Sequence, residues 1–334
     1  MPLPFGCERR IGRAFSWLGW LLACTVSQAA QAQDVDPANL LLRMSAAVRV
    51  LDYQGSFIYE HNGVIDAMRL FHEGSGGRER ERLIGMSGAR SEMLRDGDTV
   101  ICQAPAPARL LSKDAPARLL PLVPNTQGPK FAKLYSVVGR GNDRVAGYSA
   151  QVVEIRPQDP YRYGYRLWLD DSTHLLLRSA VVDAGGRVLE QFMFVALDIG
   201  AKPNESDIAP AARSEAEVPD DETRISGSPR WYVADLPAGF SLRSAQRPAQ
   251  APTLAEHHVY SDGIATVSAY VEPRDPVVAV PPDSASTFGA ISICGHAERD
   301  WKFTVVGDVP PATVQRMARS LQPMPASRGS VPAS

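Results

Sequence analysis

RPQDPYRYGYRLWLDDSTHLLLRSAVVDAGGRVLEQFMFVALDIG (residues 156–200) decides the fold class. Its aromatic and apolar residues come in runs of strand length, separated by Asp170-Asp171 and by Ala184-Gly185-Gly186, so it reads as consecutive antiparallel strands. Alternation puts Tyr161, Tyr163, Tyr165, Leu167 and Leu169 on one face, and Arg162, Gly164, Arg166 and Trp168 on the other. On an earlier strand, Phe57 and Tyr59 share a face in the same way. A wide sheet with such faces curls around a helix or around an apolar ligand. Phe57, Tyr59, Tyr161, Tyr163, Tyr165 and Leu167 are therefore candidates for lipid contact, with simple packing on a helix as the competing role.

Upstream, Asp36-Pro37 followed by Leu40, Leu41, Met44, Val48 and Leu51 predicts a capped helix over 37–51. Asn62-Gly63 and Asp96-Gly97 predict hairpins. Between them, RERERLIGMSG reads as a strand whose alternating Arg and Glu face solvent. Ala104 to Pro129 holds six prolines and no period, the pattern of an irregular loop. Residues 202–229 are acidic, lack aromatics and read as a linker. Strands restart at Trp231, a hairpin turns at Ser261-Asp262-Gly263, and Pro310-Pro311 opens a last helix with Val314, Met317, Ala318 and Leu321 on one side. The expected organisation is a leader (1–32), a large sheet domain (33–201), the linker (202–229), a smaller α+β domain (230–322) and a tail (323–334).

The leader has Arg9, Arg10 and Arg13 before an apolar run and Ala30-Gln31-Ala32 as a cleavage site, which predicts export. Leu21-Leu22-Ala23-Cys24 offers the alternative of a lipoprotein anchored through Cys24. Cleavage after residue 32 removes three arginines and one glutamate, moving the net charge from −2 to −4. Mild acidity gives no case for nucleic acid. Cys102 and Cys294 remain, far apart and on strand-like segments, where cysteine behaves as a small hydrophobe.

Catalytic and cofactor motifs are missing: Gly147-Tyr148-Ser149-Ala150-Gln151 fails as a nucleophile elbow, and there is no C-x-x-C, H-E-x-x-H or P-loop. His257-His258 are neighbours on a strand and point to opposite faces, so they do not grip one metal. Gly139-Arg140-Gly141 reads as a turn. Arg156, Arg162 and Arg166 lie close in sequence and are candidates for binding phosphate or carboxylate.

RYGYRLWLD (162–170), GGRVLEQFMF (185–194), LDIG (197–200), WYVADLPAGF (231–240), HHVYSDG (257–263) and TVVGDVPPATVQRMARS (304–320) together resemble the MucB/RseB family of sigma-factor regulators. The resemblance is ordered and spans nearly the whole mature chain. It implies a periplasmic protein that is mainly β, with a large half-open antiparallel barrel like LolA and LolB under helical cover, and a smaller α+β domain. It further implies that the smaller domain binds the periplasmic domain of a RseA/MucA-type anti-sigma factor and shields it from site-1 proteolysis. Lipopolysaccharide or a mislocalised lipoprotein, an acyl-chain ligand, would relieve that shielding, and self-association into a homo-oligomer is expected. Trp231, Tyr260, Asp262 and Tyr270 are candidate anti-sigma contacts. The alternative is a LolA-type carrier of lipoprotein or lipid; an envelope hydrolase rests on the export signal alone.

Overall fold

The computed structural model describes residues 36–88, 91–97, 99–103, 129–209, 222–224, 229–248, 255–275 and 285–325. The expected leader with Cys24, the Pro/Ala-rich stretch up to residue 128, most of 210–228, the end of the tail and the side chain of Cys102 lie outside the described residues.

Helix α1 (Pro37–Val50) begins where expected: the Asp36 carboxylate accepts from the Ala38 N–H at 3.1 Å, and Pro37 opens the first turn. Its buried stripe is Leu40, Leu41, Met44, Ala47 and Val48. Strands β1 (Tyr53–His61), β2 (Val64–Glu73), β3 (Arg80–Gly85), β4 (Glu92–Asp96) and β5 (Thr99–Gln103) form a meander. A short helix α2 (Pro129–Leu134) then leads into β6 (Tyr135–Val145), β7 (Tyr148–Pro157), β8 (Gly164–Asp170), β9 (Leu176–Val182) and β10 (Val188–Ile199). The ten strands form one antiparallel sheet in the order β5-β4-β3-β2-β1-β10-β9-β8-β7-β6.

This order has a consequence. The chain runs outward from β1 to the β5 edge, restarts at the β6 edge and returns, so the first and last strands pair at the centre. That pairing is tight: a Cβ on Gly55 would sit 2.4 Å from the Ala196 carbonyl, and the ladder slips by one residue between Ser56 and Phe57. The sheet curls enough for the Tyr148 hydroxyl, at the β6–β7 turn, to donate to the Leu197 carbonyl of β10 at 3.0 Å. Its concave side is packed with Phe57, Leu70, Leu83, Met93, Val153, Ile155, Leu167 and Phe194 against α1. Phe57, Phe192 and Phe194 meet edge to face, with centroids 5.8–6.0 Å apart.

The second lobe is a seven-stranded sheet, β11 (Glu222–Arg224), β13 (Ser241–Pro248), β14 (Glu256–Ser261), β15 (Thr266–Pro273), β18 (Trp301–Gly307), β17 (Ile291–Glu298) and β16 (Ala285–Phe288) in spatial order. β12 (Trp231–Val233) pairs with β19 (Leu321–Pro323) as a separate ribbon. Helix α4 (Pro311–Arg319) buries Thr313, Val314, Met317 and Ala318 against this sheet, close to the predicted stripe. Cys294 is a thiol, buried in the same core.

Two expectations need correction. The RERER strand is not a solvated face: Glu81 and Arg82 are buried. The reason lies in the supposed linker, whose first residues form α3 (Glu205–Ile208) and cover one side of β2 and β3. Arg82 donates to the Ser206 and Asp207 carbonyls at its C-terminal end, at 3.4 and 3.1 Å, and bonds Glu92 at 2.8 Å. Arg80 bridges Glu73 and Glu205, and Lys202 reaches Glu73 at 2.7 Å. Those bonds from Lys202 and Arg80 hold the Glu73 carboxyl below its ordinary range. The linker composition thus conceals a cap whose charges meet partners only in three dimensions.

Candidate functional site

The two sheets meet at a seam built around Arg162, the residue two before β8. Its side chain is fully buried. It donates to Asp159 Oδ1 (3.1 Å), to Asp262 Oδ2 (2.8 Å) and to the Ala238 carbonyl (2.6 Å). The guanidinium lies between the rings of Tyr135 and Phe240, 5.4 and 5.3 Å from their centroids. Asp262 is equally committed. Its Oδ1 accepts from Ile264 N and Ala265 N at 2.9 Å each, which shapes the hairpin, while Oδ2 also accepts from the Tyr135 hydroxyl at 2.8 Å. Burial, then the Asp262 charge, pushes the Tyr135 phenol far above its usual pKa. The group is an interlobe ion pair with its hydrogen bonds filled, the arrangement in which loss of one partner is costly.

A second contact is the tip of the β16–β17 hairpin. Ala290 is fully buried and belongs to the core of the large lobe. Its N–H donates to Glu190 Oε1 at 2.8 Å, and the Tyr59 hydroxyl donates to Oε2 at 3.0 Å. Gly289 has φ +61°, and a Cβ there would lie 2.8 Å from Glu190 Oε1. Phe288 packs its ring 5.4 Å from that of His61. A third contact joins α4 to the segment before β8: the Thr313 hydroxyl donates to the Tyr161 carbonyl at 2.7 Å, and Arg316 stacks over the Tyr161 ring at 4.7 Å. Tyr163 bonds Ser292, and burial pushes its phenol pKa up.

The six lipid candidates therefore divide. Tyr59, Tyr161 and Tyr163 lie at the seam, against the smaller lobe. Phe57, Tyr165 and Leu167 lie in the apolar core. A cleft of about 330 Å³ lined by Gln54, Ser56, Arg69 and Asp198 holds none of them. Of the anti-sigma candidates, Trp231 is packed on Trp301 and Phe303, Tyr260 is buried beside His258, and Asp262 is at the seam. Tyr270 is half-buried, stacked on His257 with centroids 4.3 Å apart.

The arginine group divides too. Arg162 goes to the seam, while Arg156 and Arg166 meet on the opposite face of the sheet from the core. There Glu154 accepts from Arg156 Nε at 2.8 Å and from Arg166 Nη2 at 3.3 Å. Arg140, read from the sequence as part of a turn, joins them with Nε 2.7 Å from Glu154 Oε2. Farther along, Arg178 covers the Trp168 ring at 4.2 Å and bonds Gln191 at 2.8 Å. Burial lowers the Arg178 pKa, with Asp143 opposing and Arg166 adding to the effect.

His257 and His258 are both fully buried, on opposite faces as their adjacency requires. His258 Nε2 is 2.8 Å from Glu256, whose carboxylate also accepts from the Arg230 and Trp231 N–H groups. Burial holds the His258 pKa below 6.5. His72, Glu79 and Glu81 bring their polar atoms within 4.8 Å of one another. His72 Nδ1 is engaged at 2.8 Å by the Leu51 carbonyl and its ring is stacked on Tyr53, so the group reads as a buried polar network.

Sequence reasoning missed Tyr135, Glu190 and Ala290 at the seam and Glu154 on the outer face. A glutamate at an inward position of an apolar strand, as Glu190 is between Val188 and Phe192, is the one signal that local pattern offered.

Comparison with known proteins covers the same ground. The family model described as MucB/RseB N-terminal domain matches residues 36–212, and that described as MucB/RseB C-terminal domain matches 226–322. A curated relative, "Sigma factor AlgU regulatory protein MucB" of Pseudomonas aeruginosa, is 34% identical over 322 residues, covering 93% of this chain and 97% of its own. A crystal structure of MucB in complex with MucA(peri) aligns with TM-score 0.69 at 30% identity, over 87% of this chain and all of that one. The complex structure of Pseudomonas aeruginosa MucA/MucB gives 0.70 at 32% identity, with the same coverage.

Proposed function

Because this chain belongs to the MucB/RseB family, we infer that it is a sigma-factor regulatory protein that acts by binding a MucA/RseA-type anti-sigma factor. One observation carries this reading: structures of relatives at 30% identity or above, solved with MucA, align along nearly the whole described fold. The binding takes place in the periplasm, where the protein covers the anti-sigma segment and slows its cleavage by the first protease. The sigma factor then stays inhibited.

Residues 230–322 supply most of the binding energy and 33–201 the response to an acyl-chain ligand such as lipopolysaccharide or a mislocalised lipoprotein. The seam supports such a coupling. The apolar interior that includes Phe57, Tyr165 and Leu167 is closed by the protein's own Ala290 hairpin, so an acyl chain gains access by displacing it. A ligand shifts an equilibrium only through its preference for one state. A hundredfold preference for the opened state corresponds to about 2.7 kcal/mol of coupling.

The test is protection. The purified chain is mixed with the cognate anti-sigma periplasmic segment and the site-1 protease. Cleavage slows in proportion to the chain added, and slows less when lipopolysaccharide is present. Equal cleavage with and without the chain would overturn the function; equal protection with and without lipid would remove the sensing role alone.

A further inference from the structure

Three arginines on the outer face converge on a single carboxylate. Arg140 comes from β6, Arg156 from β7 and Arg166 from β8, and all bond Glu154. The Glu154 side chain is 8% exposed, whereas those of the arginines are 37–46% exposed. One guanidinium is enough to neutralise a buried carboxylate, so three leave two positive charges uncompensated. Each guanidinium carries five N–H donors against about four lone-pair sites on the carboxylate, so most of the donors face water. Arg178, the next cation along this face, has Asp143 and Glu60 beside it; among the described residues the triad has Glu154. On a chain of net charge −2 this is a positive island.

The geometry also says how an anion sits there. The three side chains rise from adjacent strands, about 4.8 Å apart, on an open sheet face. An extended peptide repeats its side chains on one side about every 6.8 Å, which places carboxylates at alternate positions over different guanidinium groups. Adding a strand at the β6 edge is obstructed: the ladder slips between Gly139 and Asn142, and charged Asp143 and Arg144 follow. Contact is therefore through side chains on the face.

We infer that the Arg140–Arg156–Arg166 face seats an extended acidic segment of a protein partner, whose carboxylates pair with the donors Glu154 leaves open. The inference rests on the regulator reading above only for whose segment it is, and a synthetic probe keeps the two apart. The experiment measures fluorescence anisotropy of a fluorescein-labelled octapeptide of alternating Glu and Ser, with the purified full chain, at rising NaCl. Binding is expected to weaken with salt, to fall about tenfold in R140A/R156A/R166A, and to tighten in E154Q, since charge-assisted bonds are among the stronger ones. R156E alone repeats the test if the triple variant melts early. Vesicles of phosphatidylcholine with phosphatidylglycerol, and inorganic phosphate, form the competing arms. Undiminished peptide binding in the triple variant or in R156E, no tightening in E154Q, or vesicle binding through the triad without peptide binding would each overturn the inference. Loss of anti-sigma protection would not.

Discussion

Two arginine environments within one short stretch of chain, residues 156–166, show how little residue type says about role. Arg162 is fully buried and shared among Asp159, Asp262 and a backbone carbonyl. Arg156 and Arg166, six residues before it and four after, stay near half exposed around one carboxylate. The difference is cover. The smaller lobe lies over Arg162 and supplies Asp262, Ala238 and Phe240, whereas the face bearing Arg156 and Arg166 carries unspent charge. A buried guanidinium with its donors filled is a structural lock; an exposed one with donors open is available to a partner.

The largest effect expected is from Arg162→Ala. It strands the Asp262 carboxylate inside the seam, and should lower stability by about 3–5 kcal/mol, the range for breaking a buried pair. Urea denaturation measures it. A loss under about 1 kcal/mol would make Arg162 no different in kind from the exposed pair. Next comes Gly289→Ala. Its added Cβ meets Glu190 Oε1, which Ala290 N already engages, at a backbone angle that L-residues disfavour, so about 1–3 kcal/mol should be lost. An unchanged midpoint would mean that the hairpin tip is not tightly seated.

A pH effect follows in size. His258 is buried beside Glu256, His257 and Tyr260, and burial holds its pKa below 6.5. As pH falls below 6.5 the unfolded chain takes up a proton that the folded chain still refuses. Stability present above that pH is therefore lost progressively below it. Thermal melts between pH 7.5 and 5 should show the decline, and His258→Gln should flatten it. The smallest effect is Arg156→Ala: its side chain is 46% exposed, so solvent screening leaves about 0–1 kcal/mol. A larger loss would turn the outer triad into a second lock and erase the contrast with Arg162.

Much of the architecture was legible in the residues. Asp36-Pro37 with a 3.6-residue stripe marked α1, Asn62-Gly63 turned β1 into β2, and Pro310-Pro311 opened α4. These signals are local: a cap, a turn and a period each act within a few residues. The candidate site was legible only in part. Tyr161 and Tyr163 were singled out as candidates for lipid contact, yet what they touch is Thr313, Arg316 and Ser292, some 130–155 positions along the chain. RERER looked solvated because alternation says which residues share a face, and is silent on whether a segment such as α3 returns to cover it.

By itself, then, the sequence determined most of the strands and turns, the two helices that back the sheets, and the family; Gly139-Arg140-Gly141, read as a turn, is an irregularity inside β6. Tertiary structure alone decided which charges are locked and which are open. Hydrogen-bond geometry and turn chemistry operate between near neighbours, whereas Arg162 and Asp262 are 100 residues apart and are joined only once both sheets have formed. Desolvation acts on the assembled surface, so the same guanidinium becomes a bolt where a second lobe excludes water and a handle where none does.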